Sequence, residues 1–178
     1  FIGTQKGGTS TLHGWLKQDK RLNFPKIKET HYFSTRYHYG EKWYSNQFEK
    51  GNFQIRCEID PSYMYYKVAL ERISKVILLP KFIFILRQPL DRAYSHYLMS
   101  KYRGYETLPF IDALSMENSR IKNDKNHFSF SHHSYINRSK YSDQLKSFHI
   151  IFKNPQCLYI KFDTLFDITT RESQIKKI

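Results

Sequence analysis

Two spacings of apolar residues alternate along the chain. Phe1-Ile2-Gly3 reads as the end of a strand, followed by a glycine-rich turn and a helix with Leu12, Trp15 and Leu16 on one face. Residues 23–34 are polar and broken by Pro25, which predicts a loop with a short extended piece at His31-Tyr32-Phe33. A helix is predicted over 41–48, with Trp43, Tyr44 and Phe48 inward, and a strand over 54–59 that stops at the turn Asp60-Pro61-Ser62. A short helix over 68–78 precedes the continuous apolar run Lys81–Leu86, which suits a central parallel strand buried on both faces. Pro89 opens the next helix in its first turn, where a missing N–H costs nothing, and Ala93, Tyr94, Tyr97 and Leu98 form its predicted buried stripe. Residues 110–120 and 141–152 read as two more amphipathic helices around a polar, His-rich stretch. Residues 157–162 read as a strand, and Glu172, Ile175 and Ile178 keep a helical spacing. Strands alternating with helices predict an α/β domain with a mainly parallel central sheet.

Length and composition narrow this picture. A chain of 178 residues suits one domain. With 40% hydrophobic and 25% charged residues, 7 glycines and 6 prolines, it is neither disordered nor a repetitive fibre. Aromatic residues at 17% suffice for a packed core. The longest apolar stretch, 76–86, is interrupted by Pro80 and Lys81 and is too short to span a bilayer. Cys57 and Cys157 lie in predicted strands without a CxxC pair, which predicts buried free thiols and excludes a disulfide scaffold. The chain begins at Phe1 within a strand and ends at Ile178 within a helical pattern, so the expectation is a single domain truncated at both ends.

Charge adds a direction without selecting a partner. Lysine and arginine outnumber aspartate and glutamate 29 to 16, for a net charge of +13. Such an excess favours nucleic acid, phosphorylated cofactors, acidic glycans or a membrane surface, and an ordinary lysine-rich surface gives the same number. The basic residues are spread along the chain and no nucleic-acid-binding motif occurs, so no nucleic-acid partner is expected. His127, His132 and His133 have no carboxylate or thiol to complete a ligand set, and no metal is expected there.

The candidate chemistry lies in two turns. Gly3-Thr4-Gln5-Lys6-Gly7-Gly8-Thr9-Ser10-Thr11 joins the first strand to the first helix. The Gly3-to-Gly8 spacing is that of a phosphate-cradling P-loop, but Thr9 stands where a lysine usually follows the second glycine, and the lysine sits inside the loop at position 6. Gly7 and Gly8 let the backbone curl around an anion, the helix start supplies N–H groups, Lys6 adds a full charge, and Thr9, Ser10 and Thr11 bring hydroxyls. The competing reading is a glycine-rich turn with an ordinary N-cap. The second turn follows Lys81–Leu86, where open parallel sheets bind ligands. There Arg87 leaves the strand and Ser95 lies on the second turn of the next helix, a pair suited to clamp a second phosphate.

Four segments recur in order: Gln5-Lys6-Gly7-Gly8-Thr9-Ser10, Lys28-Glu29-Thr30-His31-Tyr32-Phe33, Glu58-Ile59-Asp60-Pro61-Ser62-Tyr63, and Arg87-Gln88-Pro89-Leu90-Asp91-Arg92-Ala93-Tyr94-Ser95. Together they resemble the sulfotransferases that use 3′-phosphoadenosine 5′-phosphosulfate, most of all the carbohydrate branch typified by heparan sulfate sulfotransferases. Arg138-Ser139-Lys140-Tyr141-Ser142-Asp143-Gln144-Leu145 and the late strand extend the resemblance over nearly the whole chain. It implies a P-loop-like three-layer α/β domain and transfer of a sulfuryl group to a hydroxyl or amine of a carbohydrate. Lys6, Gly7, Gly8, Thr9, Ser10 and Thr11 would hold the 5′-phosphosulfate, with Lys6 neutralising the leaving oxygen, and Arg87 with Ser95 would hold the 3′-phosphate. Glu29 matches the family's general base, His31 would assist transfer, and Lys28 and Tyr63 would meet the acceptor. No metal is expected, since Lys6, Arg87 and the loop amides supply positive charge.

The chain departs from the heparan type at Ile59, where a lysine often follows the glutamate, at Gln88 before Pro89, and at Ser139 in place of a glycine. The family's late nucleotide-covering loop is expected beyond Ile178. Two rivals make other predictions. A P-loop kinase expects lysine after Gly8 and an acidic strand end for magnesium, where this chain has Thr9 and Arg87. A non-catalytic basic module for anions or glycans expects indifference to the loss of Lys6. The resemblance fits a cytoplasmic enzyme if bacterial and a Golgi-lumen enzyme if eukaryotic.

Overall fold

The computed structural model describes residues 1–178, which form two compact units: Phe1–Leu86 with Gln144–Ile178, and Arg87–Asp143. The first unit is built on parallel strands. β3 (Lys81–Leu86) pairs with β4 (Gln156–Lys161) in register from Lys81 opposite Gln156 to Leu86 opposite Lys161. The segment Phe1–Thr4 lies along the other edge of β3: Ile2 N donates to Ile83 O (3.2 Å), Ile85 N to Gly3 O (3.0 Å) and Thr4 N to Ile85 O (2.9 Å). These parallel-type bonds close only one bridge, Gly3 to Phe84, so the predicted first strand is an adjunct to β3 and too short to stand as an element.

Alternation along β3 decides what covers each face. Ile85 faces a cluster with Leu12 and Leu16 of α1 (Thr9–Leu16), Ile160 of β4 and Leu165 of α8 (Phe162–Phe166); Ile83 and Ile175 of α9 (Ile168–Ile175) pack against it. Phe82 and Phe84 face the opposite way, their rings 4.8 and 5.1 Å from that of Phe148 on α7 (Tyr141–Ile151). Helices therefore cover both faces of a parallel sheet, as the alternating pattern requires.

The predicted strand over 54–59 shrinks to β2 (Ile55–Arg56), which pairs in parallel with β1 (Leu22–Asn23) in a separate two-stranded sheet. Both β2 side chains are exposed, so no apolar face held a longer strand in place. β1 lies at the edge of the stretch read as loop; a two-residue strand carries no periodic signal. The helix expected over 41–48 is α2 (Gly40–Ser45), with a 3₁₀ turn at Tyr37–Tyr39 before it and Phe48 buried beyond its end. α3 (Lys67–Val76) buries Ala69, Leu70 and Ile73 and stops before the exposed Leu78 and Leu79. Cys57 and Cys157 are free thiols, as expected, but both are only half-buried. No helix is long and apolar enough to cross a membrane.

The second unit is helical: α4 (Pro89–Tyr102), α5 (Phe110–Lys122), α6 (Phe128–His132), a 3₁₀ turn at Asn137–Ser139 and the first residues of α7. Its core joins Ala93, Tyr97, Ala113 and Tyr135. The predicted α4 stripe is corrected at two positions, since Tyr94 and Leu98 are 47% and 46% exposed. The buried face is rotated toward Arg92, His96 and Ser100, polar residues that apolar periodicity could not count. Arg92 is fully buried because its guanidinium donates to Tyr135 O and, at 2.7 Å, to Ser139 Oγ, so Ser139 is a half-buried hydrogen-bond partner where the resemblance leads one to expect a glycine.

Glu106 is one of the buried charged groups of this unit. Arg120 Nη1 lies 2.6 Å from its carboxylate and Tyr135 OH donates to it at 2.9 Å. Burial pushes its pKa up, but Arg120, the Leu108 N–H and Tyr135 OH together hold it at about 2. Its contribution is thus complete above the ordinary 4.5 and is lost as pH falls toward 2. Arg120→Ala, which leaves a buried carboxylate without its cation, is expected to cost about 3 kcal/mol in chemical denaturation at neutral pH and to flatten that acid loss.

Candidate active site

The glycine-rich turn is locked onto β3 before it curls. After Thr4 N has bonded to Ile85 O, Gly7 N turns back to donate to Thr4 O at 2.9 Å. Lys6 (φ 70°) and Gly8 (φ 82°) both adopt the left-handed region, and such reversals turn successive N–H groups toward one concavity. Space is equally limiting. A Cβ on Gly7 would meet Thr4 O and Ile85 O at 2.9 Å, and one on Gly8 would run into the Phe166 ring. No side chain caps the N-terminus of α1, so its first-turn N–H groups suit an anion. Ser10 and Thr11 are exposed, whereas Thr9 is 5% exposed and offers the cradle its backbone more than its hydroxyl.

A second network fixes the segment carrying Glu29 and His31. Glu58 accepts from Thr30 N (3.2 Å), Thr30 Oγ1, Tyr44 OH (2.7 Å) and Tyr63 OH (2.9 Å). Burial and then the charge of Asp60 raise the Glu58 pKa, and the three hydroxyls oppose them. Asp60, with its side chain fully buried, accepts from His31 N at 3.0 Å and faces His31 Nδ1 at 2.8 Å through the same Oδ2, while Oδ1 accepts from Ser62 N at 3.0 Å. Between them Ile59 points into the core at 0% exposure, which explains why an apolar residue stands where heparan-type members carry lysine.

Lys28 connects the two parts. Its Nζ donates to Ser10 Oγ at 3.1 Å and pairs with the Glu29 carboxylate. The structure therefore brings Lys28 beside Ser10 at the start of α1, with Glu29 paired to it and His31 within 4.8 Å of Glu29. Tyr63 departs from its expected role: it is 2% exposed, and its hydroxyl donates to Glu58 and accepts from Phe33 N at 3.3 Å, so it braces the loop and has no free face for an acceptor. Arg87 and Ser95 belong to the second unit. Both are half-buried, Arg87 directly follows β3, and its carbonyl accepts from Tyr141 OH at 2.9 Å.

Glu29, His31 and Asp60 place one donor atom each within 4.8 Å of one another. His31 Nδ1 is committed to Asp60 and Glu29 to Lys28, so a cation is already paired at Glu29. Glu58, Asp60 and Thr30 are the site residues that sequence reasoning left without a role. The signal was present in Glu58-Ile59-Asp60, whose period of two puts both carboxylates on one side.

These features describe an α/β protein with a glycine-rich turn beside the C-terminal end of its central strand. The profile of the family described as "Sulfotransferase domain" matches residues 1–178, and the chain belongs to that family. It is 31% identical over 119 residues to heparan sulfate glucosamine 3-O-sulfotransferase 3B1 of Mus musculus, covering 66% of this chain and 30% of that protein. It is also 31% identical over 103 residues to the membrane-associated sulfotransferase kil1 of Dictyostelium discoideum, covering 56% of this chain and 22% of that protein. A crystal structure of a sulfotransferase from Alicyclobacillus acidocaldarius matches the fold with a TM-score of 0.80 at 26% identity, over 93% of this chain and 72% of that one. The chain spans less than a third of the length of these two curated relatives.

Two predictions follow from the local geometry. Gly8→Ala is expected to cost at least about 1 kcal/mol in urea unfolding, while Gly14→Ala, with open space in α1, should be neutral or stabilising. His31 has a raised pKa, chiefly through its hydrogen bond to Asp60. The stability it contributes is complete below the ordinary value of 6.5 and is lost as pH rises through the higher folded value. His31→Ala should remove that loss from denaturation curves collected across this range.

Proposed function

We propose that the chain moves a sulfuryl group from 3′-phosphoadenosine 5′-phosphosulfate to a hydroxyl or amine of a carbohydrate, by in-line transfer with Glu29 as general base. The observation that carries this reading is Lys28, whose ammonium touches both Glu29 and Ser10 and so joins a proton acceptor to an anion cradle. The cradle suits a phosphosulfate: the tight glycine turn, the left-handed Lys6 and Gly8 and the uncapped α1 start all present N–H groups. Family membership supports the choice of donor, and the name of the Mus musculus relative supports a carbohydrate acceptor.

In this reading Lys6, Gly7, Gly8, Thr9, Ser10 and Thr11 hold the 5′-phosphosulfate, and Arg87 with Ser95 hold the 3′-phosphate. Bound there, the donor supplies an activated sulfuryl group whose leaving group is adenosine 3′,5′-bisphosphate. Lys6 offsets the charge that grows on the bridging oxygen. Glu29 takes the acceptor's proton, Lys28 keeps that carboxylate beside the turn, and His31 assists. Lys6, Arg87 and the loop amides supply the positive charge, and no step calls for a metal. The whole chain forms one sulfotransferase domain.

Calorimetry tests the donor site. Adenosine 3′,5′-bisphosphate should bind with about micromolar affinity, equivalent to roughly 8 kcal/mol, and binding should be lost in Lys6→Ala and absent for ATP with magnesium. A preference for ATP would refute the reading. Glu29→Gln should lower transfer to a heparan-type oligosaccharide by about 10²-fold or more while bisphosphate binding persists. Loss of bisphosphate binding in that variant would make Glu29 structural.

A further inference from the structure

We propose that Asp60 and His31 form the proton exit of the transfer site, with Asp60 holding His31 as its Nδ1–H tautomer so that Nε2 is the lone pair to which the proton taken by Glu29 passes. The proposal rests on sulfuryl transfer with Glu29 as base and adds a role for a residue to which that reading gives none.

Three N–H groups converge on the Asp60 carboxylate: His31 N, His31 Nδ1 and Ser62 N. A carboxylate only accepts, so the 2.8 Å contact with Nδ1 requires the hydrogen on Nδ1 and leaves Nε2 unprotonated in the neutral ring. No group of the chain hydrogen-bonds Nε2. The His31 backbone is held at φ 53°, with its own N–H on the oxygen that faces Nδ1, so main chain and ring are fixed by one atom. Asp60 is immobile in turn: its side chain is 0% exposed, and its N–H donates to Phe1 O at 3.0 Å. The His31 side chain is 35% exposed and that of Glu29 31%, so both reach solvent, and Glu29 is paired with Lys28.

The charged groups acting on His31 are Asp60 and Glu29, which favour the imidazolium, and Arg36, which opposes it. The balance raises the affinity of His31 for a proton, as a relay from a carboxylate requires. In the step itself the acceptor's O–H or N–H bond breaks and its proton goes to Glu29. The freed electron pair forms the new bond to sulfur, and the bond from sulfur to the 5′-phosphate oxygen breaks, leaving its pair on the bisphosphate. The proton then moves from Glu29 to Nε2 and on to water, while Nδ1–H stays on Asp60. Asp60 is a positioning residue, since it acts through His31.

Nitrogen-15 NMR of the full chain reads the tautomer without any need for activity. The expected result is an Nδ1–H, Nε2-unprotonated ring, with a His31 titration midpoint that moves to lower pH in Asp60→Asn. Kinetics with 3′-phosphoadenosine 5′-phosphosulfate and a desulfated heparan oligosaccharide then test the relay. Asp60→Asn should lower kcat about 10-fold to 100-fold with unchanged bisphosphate affinity, the range typical of residues that orient a functional histidine. His31→Ala should be partly restored by added imidazole, and adding Asp60→Asn to it should cost nothing further.

An Nε2–H tautomer, additive effects of the two substitutions or no rescue by imidazole would overturn the proposal. If Asp60→Asn fails to fold, the wild-type tautomer and the imidazole rescue still decide it. If the wild type binds bisphosphate yet transfers nothing, sulfuryl transfer fails as the function, and the tautomer measurement still decides whether Asp60 sets the state of His31.

Discussion

The segment that carries Glu29 and His31 has no regular structure of its own, so its shape depends on two carboxylates one residue apart. Glu58 gathers Thr30 N and the hydroxyls of Thr30, Tyr44 and Tyr63, and Asp60 takes the next N–H and the His31 ring. A loop that satisfies its polar groups on buried anions is held as firmly as a strand, because an unpaired buried donor or acceptor costs about 1–3 kcal/mol. Tyr32 and Phe33 continue the anchoring from the loop side: both are buried, and the Tyr32 and Tyr44 rings stack at 4.6 Å. Aromatic residues that look like candidate sugar platforms in the sequence are thereby spent on holding the loop still.

The glycine turn obeys a different constraint, which is room. Thr4 is tied to β3, Gly7 passes within van der Waals range of two carbonyl oxygens, and Gly8 lies under the Phe166 ring. Phe166 comes from α8, more than 150 residues away in sequence, so the cradle is shaped in part by the chain's last third. Lys28 then ties the turn to the carboxylate loop through Ser10. Electrostatics joins the two parts of the site, and packing sets each one separately.

Much of this was legible in the residues. The Gly3-to-Gly8 spacing, the apolar run Lys81–Leu86 and the helix opened by Pro89 each express a local rule, and each formed the predicted kind of structure. The misreadings share a cause. Apolarity alone places Tyr94 and Leu98 in the α4 interior, yet Arg92 and His96 occupy it, since a buried guanidinium can be satisfied by Tyr135 O and Ser139 Oγ. Tyr63 was read as an acceptor contact, but its hydroxyl was already claimed by Glu58. Hydrogen bonding between residues distant in sequence leaves no periodic trace.

The sequence by itself determined the order of the main strands and helices, the glycine-rich turn before the first helix and the family to which the chain belongs, because these follow from spacing within a few residues. Only the tertiary structure decided that Asp60 faces His31, that Lys28 bridges Glu29 and Ser10, and that Ile59, at a position where heparan-type members often carry lysine, sits in the core. The Lys28–Ser10 and His31–Asp60 contacts join residues 18 and 29 positions apart, and their energy comes from burial and from partners that meet only once the sheet and its flanking helices have closed around them.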